Sequence, residues 1–194
     1  MKYPSEKEAI ELLNKYKVPE EVIEHCKKVR NKALKIADQI SAKGHKVDKE
    51  LVKSIALLHD IGKYKYSRER GCSESELGLH APESQLLLEK LGYPELAKIC
   101  GAHFLFSVTK NEAKKLGWPI PVHLPNILEG KIIFIADKIR GDRAPEEEIR
   151  RMIERSDLYV KYWNKCPGLK EKTLRKALEI IKELRNLGWN GKVK

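Results

Sequence analysis

Four residues able to bind a metal or move a proton fall on positions that the surrounding pattern turns inward. His25 lies on the apolar stripe of Val29, Ala33, Ile36 and Ile40, and His59 on that of Val52, Ile55 and Ala56. His103 continues the stripe of Leu96, Ile99 and Cys100, while Asp137 sits one turn after Ile133 in the most hydrophobic segment. A buried carboxylate is costly and a buried imidazole needs partners, so such positions call for compensation, which a shared divalent cation supplies. Imidazole and carboxylate without thiolate suit Zn, Fe, Mn, Co or Ni and leave positions for water, the pattern of a catalytic site. Any one of these histidines alone reads as a core or surface residue with ordinary hydrogen-bond partners. Together they read as a metal centre. Asp60 directly follows His59, and neighbours on a helix diverge by about 100°. Both therefore reach one ion only at the helix flank, with ligands from other helices closing the shell; His25 and Asp137 are placed to do so.

Positioning these groups requires several helices. Pro and Gly recur at intervals that suit helices, and no segment sustains the period-two alternation of hairpins, so the expected fold class is all-α. Ser5 caps a first helix to about Tyr16, Pro19 opens a longer one ending near Gly44, and Asp48 caps a third that carries ELVKSIALLHDIGK to around Gly62. After a polar stretch from Tyr64 to Leu79, Pro82 and Gly92 bracket a short helix; Pro94 starts another carrying LAKICGAHF, and a Pro-rich loop follows. The segment LPNILEGKIIFIADKI is apolar around most of its circumference from Ile132 to Ala136, which predicts a central, buried helix. Gly141 to Pro145 breaks the pattern before the amphipathic segments EEEIRRMIERSDLYVKYW and KEKTLRKALEIIKELRNLGW. The expected division is a catalytic domain over 1–144 and a C-terminal helical extension over 145–194, packed on the same core.

A chain of 194 residues can bury a sizeable core, so any metal is expected to be functional and not merely a staple. Apolar residues at 41% beside charged ones at 35% separate it from disordered chains. No stretch approaches the roughly 18 apolar residues of a membrane span, and MKYPSEKEAIELL lacks the marks of a signal peptide. A cytoplasmic location with no membrane partner is therefore expected, with Cys26, Cys72, Cys100 and Cys166 reduced. The surplus of Lys and Glu resembles hyperthermophile composition. A formal net charge of +11 attracts polyanions, but the basic residues are spread along the chain without an Arg-rich tract.

The ordered set His25, LLHDIGK with His59-Asp60, His80, His103 and ADKI with Asp137 resembles the HD superfamily of metal-dependent phosphohydrolases. More narrowly it resembles the small archaeal HDIG-type proteins, over roughly Pro19 to Arg140. The resemblance implies an HD-domain helical bundle in which His25, His59, Asp60 and Asp137 hold one divalent ion. His80 and His103 match the extra histidines of two-metal members, with Asp60 bridging, and Lys63 stands where single-metal nucleotidases tend to carry Glu. Two divalent transition ions are thereby implied. Phe104 occupies a position where some two-metal relatives have a second consecutive histidine, leaving a sixth ligand open. His123, between Pro121 and Pro125, and His45, after Gly44, are expected at the surface.

The implied chemistry is in-line attack on phosphorus by water activated at Asp60. Lys63 is expected to bind a non-bridging phosphate oxygen, the bland alternative being a helix-terminal lysine favourable to the dipole. Arg68 and Arg70 are weaker candidates for a phosphate clamp or lid, on a stretch that reads equally as a connecting loop. The expected substrate is a nucleotide phosphoester, either a nucleoside monophosphate or a 2′,3′-cyclic phosphate such as RNA ends carry. The alternative is a nucleotide- or RNA-binding module with incidental turnover, its basic C-terminal helices contacting the partner; a mixed-valent iron oxygenase is a third reading for which nothing selects. The amphipathic C-terminus equally suits its own core, a twin subunit in a homo-oligomer, or RNA.

Overall fold

Capping decides where the first helices begin. In the computed structural model, which describes residues 1–74, 76–155 and 157–193, α1 (Glu6–Lys15) starts at Ser5. The Ser5 hydroxyl accepts the Glu8 amide and the Glu8 carboxylate accepts the Ser5 N–H at 2.7 Å, a capping box. Pro19 precedes α2 (Glu20–Ser41), and the Asp48 carboxylate accepts the Leu51 amide to start α3 (Lys49–Leu58). There follow α4 (His80–Lys90), α5 (Pro94–Ala102), α6 (Lys110–Leu116), α7 (Leu128–Lys138), α8 (Pro145–Arg155), α9 (Asp157–Lys165) and α10 (Gly168–Asn186). A two-residue antiparallel ladder joins β1 (Ser107–Val108) to β2 (Val122–His123), pairing Ser107 with His123 and Val108 with Val122. Apart from that ladder the described residues are all-α.

Three local features depart from the sequence reading. α3 stops at Leu58 and not near Gly62: His59 closes it, and Asp60 leaves helical geometry at φ −101°, ψ 12° before a 3-10 turn over Ile61–Tyr64. Gly62 shows why. A Cβ on it would stand 2.1 Å from the His80 carbonyl oxygen and 2.7 Å from the Ser84 amide nitrogen, so the chain passes against α4 closer than any side chain permits. The Pro-rich loop holds α6, started by a second capping box between Thr109 and Glu112. The C-terminal stretch forms three helices where two segments were expected, with Pro167 standing between α9 and α10.

α7 lies at the centre, as its composition predicts: Ile132, Ile133, Phe134, Ile135 and Ala136 are fully buried, with α2, α3, α8 and α10 packed against the helix. α4 and α5 pack on one another. Apolar side chains from Ala9 to Val193 form one continuous core, to which Trp163 and Ile180 contribute from the C-terminal helices and Trp189 from the segment after α10. All four cysteines are free, three of them buried. No helix among the described residues is long and apolar enough to cross a membrane.

Candidate metal centre

Five segments deliver the six candidate ligands. His25 comes from α2, His59 and Asp60 from the end of α3, His80 from the first turn of α4, His103 from the close of α5 and Asp137 from the last turn of α7. Three of the histidines share one device. The Nδ1 of His59 lies 2.7 Å from the Ala56 carbonyl, that of His80 2.5 Å from Leu77, and that of His103 2.5 Å from Cys100, each three residues back. A carbonyl only accepts, which assigns the proton to Nδ1 and leaves the Nε2 lone pair turned toward the centre. This is the orientation in which an imidazole binds metal.

The donor atoms form two triangles, one containing Asp60 Oδ1 and the other facing Asp60 Oδ2. His25 Nε2 is 3.1 Å from Asp137 Oδ1 and 3.7 Å from Asp60 Oδ2, and His59 Nε2 is 3.6 Å from each of those oxygens. On the other side, Asp60 Oδ1 lies 3.1 Å from His80 Nε2 and 3.3 Å from His103 Nε2, which are themselves 3.2 Å apart. His25, His59 and Asp137 form one compact set able to hold an ion, and Asp60, His80 and His103 another. A third set, Cys26, His59 and Asp60, overlaps both, but the Cys26 Sγ lies 4.0 Å from His59 Nδ1, the ring nitrogen already given to Ala56.

The residues fit divalent cations. His59 Nε2 and Asp60 Oδ1 are buried without a hydrogen-bond partner, an arrangement that costs about 1–3 kcal/mol per atom. Lone pairs of His80, His103 and Asp60 converge on one point, and positive charge between them turns repulsion into coordination.

Electrostatics follow the same map. Burial works against ionising Asp60, but Lys63 at 2.6 Å, then His59 and His80, hold its carboxyl well below the usual range. Asp137 is likewise held well below, with Lys138, His25 and His59 overcoming burial. Burial pushes His103 down to about 4. Burial also opposes protonation of His59, yet Asp60 and Cys26 raise its pKa well above the ordinary value.

Of the other predicted residues, Lys63 lies at the edge of the donor cluster, its partly exposed side chain placing the ammonium against Asp60 Oδ2. Arg68 is exposed and forks onto Glu74 at 2.9 and 3.2 Å, and Arg70 donates to the Lys17 carbonyl at 3.1 Å. Phe104 is an aromatic wall and not a ligand, 5.5 Å from the His80 ring and 4.7 Å from Tyr159, whose hydroxyl donates to the Phe104 carbonyl. His123 is exposed on β2, 3.2 Å from the Ser107 hydroxyl, and His45 is exposed.

Two supporting residues escaped the sequence reading. Lys138 is fully buried, with Nζ 3.3 Å from Asp137 Oδ2, hydrogen-bonded to the His103 carbonyl and 4.1 Å from the Phe134 ring centroid. Its signal was a lysine inside the apolar run IIFIADKI. The Ser84 hydroxyl accepts the Gly62 amide at 2.9 Å and lies 3.0 and 2.9 Å from the carbonyls of His59 and His80, tying two ligand segments together. Only its spacing of one turn from His80 hinted at this.

The all-helical bundle thus gathers histidines and aspartates around an adjacent His-Asp pair, a donor set suited to divalent metal ions. Residues 22–142 match the HD domain. The chain belongs to the HD domain family, within the superfamily of metal-dependent phosphohydrolases, and its relatives are archaeal. It is 35% identical over 170 residues to an uncharacterized protein of Methanocaldococcus jannaschii, covering 87% of this chain and 90% of that one. It is 29% identical over 182 residues to a tRNA (cytidine(56)-2'-O)-methyltransferase of Picrophilus torridus and 30% identical over 142 residues to one of Thermoplasma volcanium. Those matches cover 92% and 72% of this chain but only 47% and 38% of the methyltransferases. No solved structure matches the chain.

Proposed function

We propose that the chain hydrolyses a nucleotide phosphoester at a two-ion centre, with His25, His59, Asp60 and Asp137 holding one ion and Asp60, His80 and His103 the other. The observation that carries this is the pair of donor triangles on either side of Asp60, whose Oδ2 faces one and whose Oδ1 belongs to the other, with His59 Nε2 and Asp60 Oδ1 without a hydrogen-bond partner among the described residues. Two divalent ions from the group Mn, Fe, Co, Ni and Zn suit this donor set and supply, when bound, water activation and charge neutralisation at phosphorus. Asp60 faces both triangles and so orients the attacking water. Lys63 binds a non-bridging phosphate oxygen from the pocket edge, as a point charge. Arg68 and Arg70 reach substrate only by releasing Glu74 and the Lys17 carbonyl.

The substrate we favour is a ribonucleotide phosphoester such as the 2′,3′-cyclic phosphate of an RNA end. Support comes from the net charge of +11 and from two relatives named as tRNA methyltransferases that carry a segment like this chain. The test is a hydrolysis screen of nucleoside monophosphates and 2′,3′-cyclic phosphates with protein stripped and reloaded with each ion. Asp60→Ala is expected to abolish turnover and lower metal content while helix content stays; undiminished activity in that variant would sink the proposal. A metal-to-protein ratio near one would reduce the centre to a single ion. An RNA-binding module with incidental turnover is the second reading, resting on the same charge; it predicts RNA binding that weakens steeply with salt.

A further inference from the structure

Lys32 stands on α2 seven residues after His25, two turns and about 10 Å along the axis on nearly the same face. Its half-buried ammonium donates at 2.7 Å to the carbonyl of Ile139, the residue that closes α7 two positions after Asp137. The carboxylates facing it, Asp137 and Glu148, are committed elsewhere. Asp137 serves His25, His59 and Lys138. Glu148 accepts the backbone N–H groups of Arg140, Gly141, Asp142 and Arg143 at 2.5, 3.0, 2.8 and 3.2 Å. Lys32 is thus a half-buried cation whose hydrogen bond goes to a neutral carbonyl. A neutral side chain would cap that carbonyl with less desolvation. Exposed Arg140 stands beside it on the loop and exposed Lys28 one turn before it on α2, so the ground beyond the metal centre is basic.

We infer that Lys32 forms the floor of a second anion subsite, which takes a phosphate of the substrate other than the one cleaved. The favoured substrate is then a nucleotide with at least two phosphates, as at the end of an RNA chain, where the terminal nucleotide carries its linking 5′-phosphate. The inference rests on the phosphoester reading above. A purely structural lysine at the α7 C-terminus is the competing account.

Two measurements separate them. In the first, hydrolysis of a nucleoside 2′,3′-cyclic phosphate is compared with that of the same compound bearing a 5′-phosphate. The wild type is expected to prefer the second through KM, and Lys32→Gln to cut that preference about tenfold, the scale of one charge-assisted hydrogen bond, with Lys32→Arg restoring most of it. Equal loss on both substrates, accompanied by a lowered Tm, would overturn the subsite. In the second, inorganic phosphate is titrated into chelator-treated protein and followed by calorimetry. Binding is expected in the wild type and in Asp60→Ala, weakened about tenfold in Lys32→Gln; binding indifferent to Lys32 overturns the proposal. Lys32-dependent phosphate binding without any hydrolysis would support the subsite and refute the phosphohydrolase reading.

Discussion

At the scale of single residues, the centre depends on side chains that never touch an ion. Lys138 holds Asp137 Oδ2 and the His103 carbonyl at once, so it orients a ligand of each triangle. Replacing it with Met keeps the stem packed on Phe134 but frees Asp137. The expected result is a 10- to 100-fold loss of ion affinity, as is usual for such supporting groups, read by competition against a chelating dye. His103 gives a pH prediction for the metal-free protein. Its imidazole resists protonation down to about 4, whereas the same group in the unfolded chain protonates near 6.5. The unfolded state therefore binds the extra proton, and stability falls as pH drops from 6.5 to 4, by about 3 kcal/mol in total. Denaturant melts across that window check it; a flat profile would mean His103 is hydrated. At this scale the sequence was informative about which histidines and aspartates converge, because a histidine on an apolar stripe is conspicuous. It was silent about braces: Ser84 and Lys138 act through main-chain carbonyls whose whereabouts only the fold determines.

At the scale of elements, the decisive event is the end of α3. The pattern ELVKSIALLHDIGK reads as one helix, since periodicity does not register where hydrogen bonding stops. Because the helix ends at Leu58, Asp60 is free to turn each oxygen to a different triangle, which a helical Asp60 one hundred degrees from His59 would not do. Gly62 makes room for that turn against α4. Gly62→Ala should therefore cost on the order of 3 kcal/mol of stability by forcing the His59–Asp60 segment off α4, measured by urea denaturation, and should depress ion binding with it. Capped starts were legible at Ser5 and Asp48 because a cap is a local signal. The short α6 and the two-residue ladder were not, since seven residues between prolines carry too little periodicity to stand out.

For the whole molecule, the centre ties together helices far apart in sequence. The Tyr159 hydroxyl on α9 meets the carbonyl next to His103, and α10 packs on α7, the helix of Asp137. An ion bound only by the folded chain adds stability by mass action: about 2.7 kcal/mol at a hundredfold excess over Kd. For a chain of this size that is roughly 5–10 °C in Tm. Differential scanning calorimetry with and without chelator tests it, and no shift would argue against a pre-formed site. The buried centre of α7 was readable from composition. How the helices after Pro145 meet the core was not, because an amphipathic helix announces that it has an apolar face but not what covers it.

The contact between Lys63 and Asp60 has a meaning for scarcity. The ammonium 2.6 Å from Asp60 Oδ2 sets a tethered positive charge against a buried carboxylate. A newly made chain can thus wait for metal without an unbalanced carboxylate prising its core apart, and loading becomes an exchange of one positive charge for another. Under the proposed function, the same lysine, once released by an incoming ion, would be at hand for the phosphate that follows it.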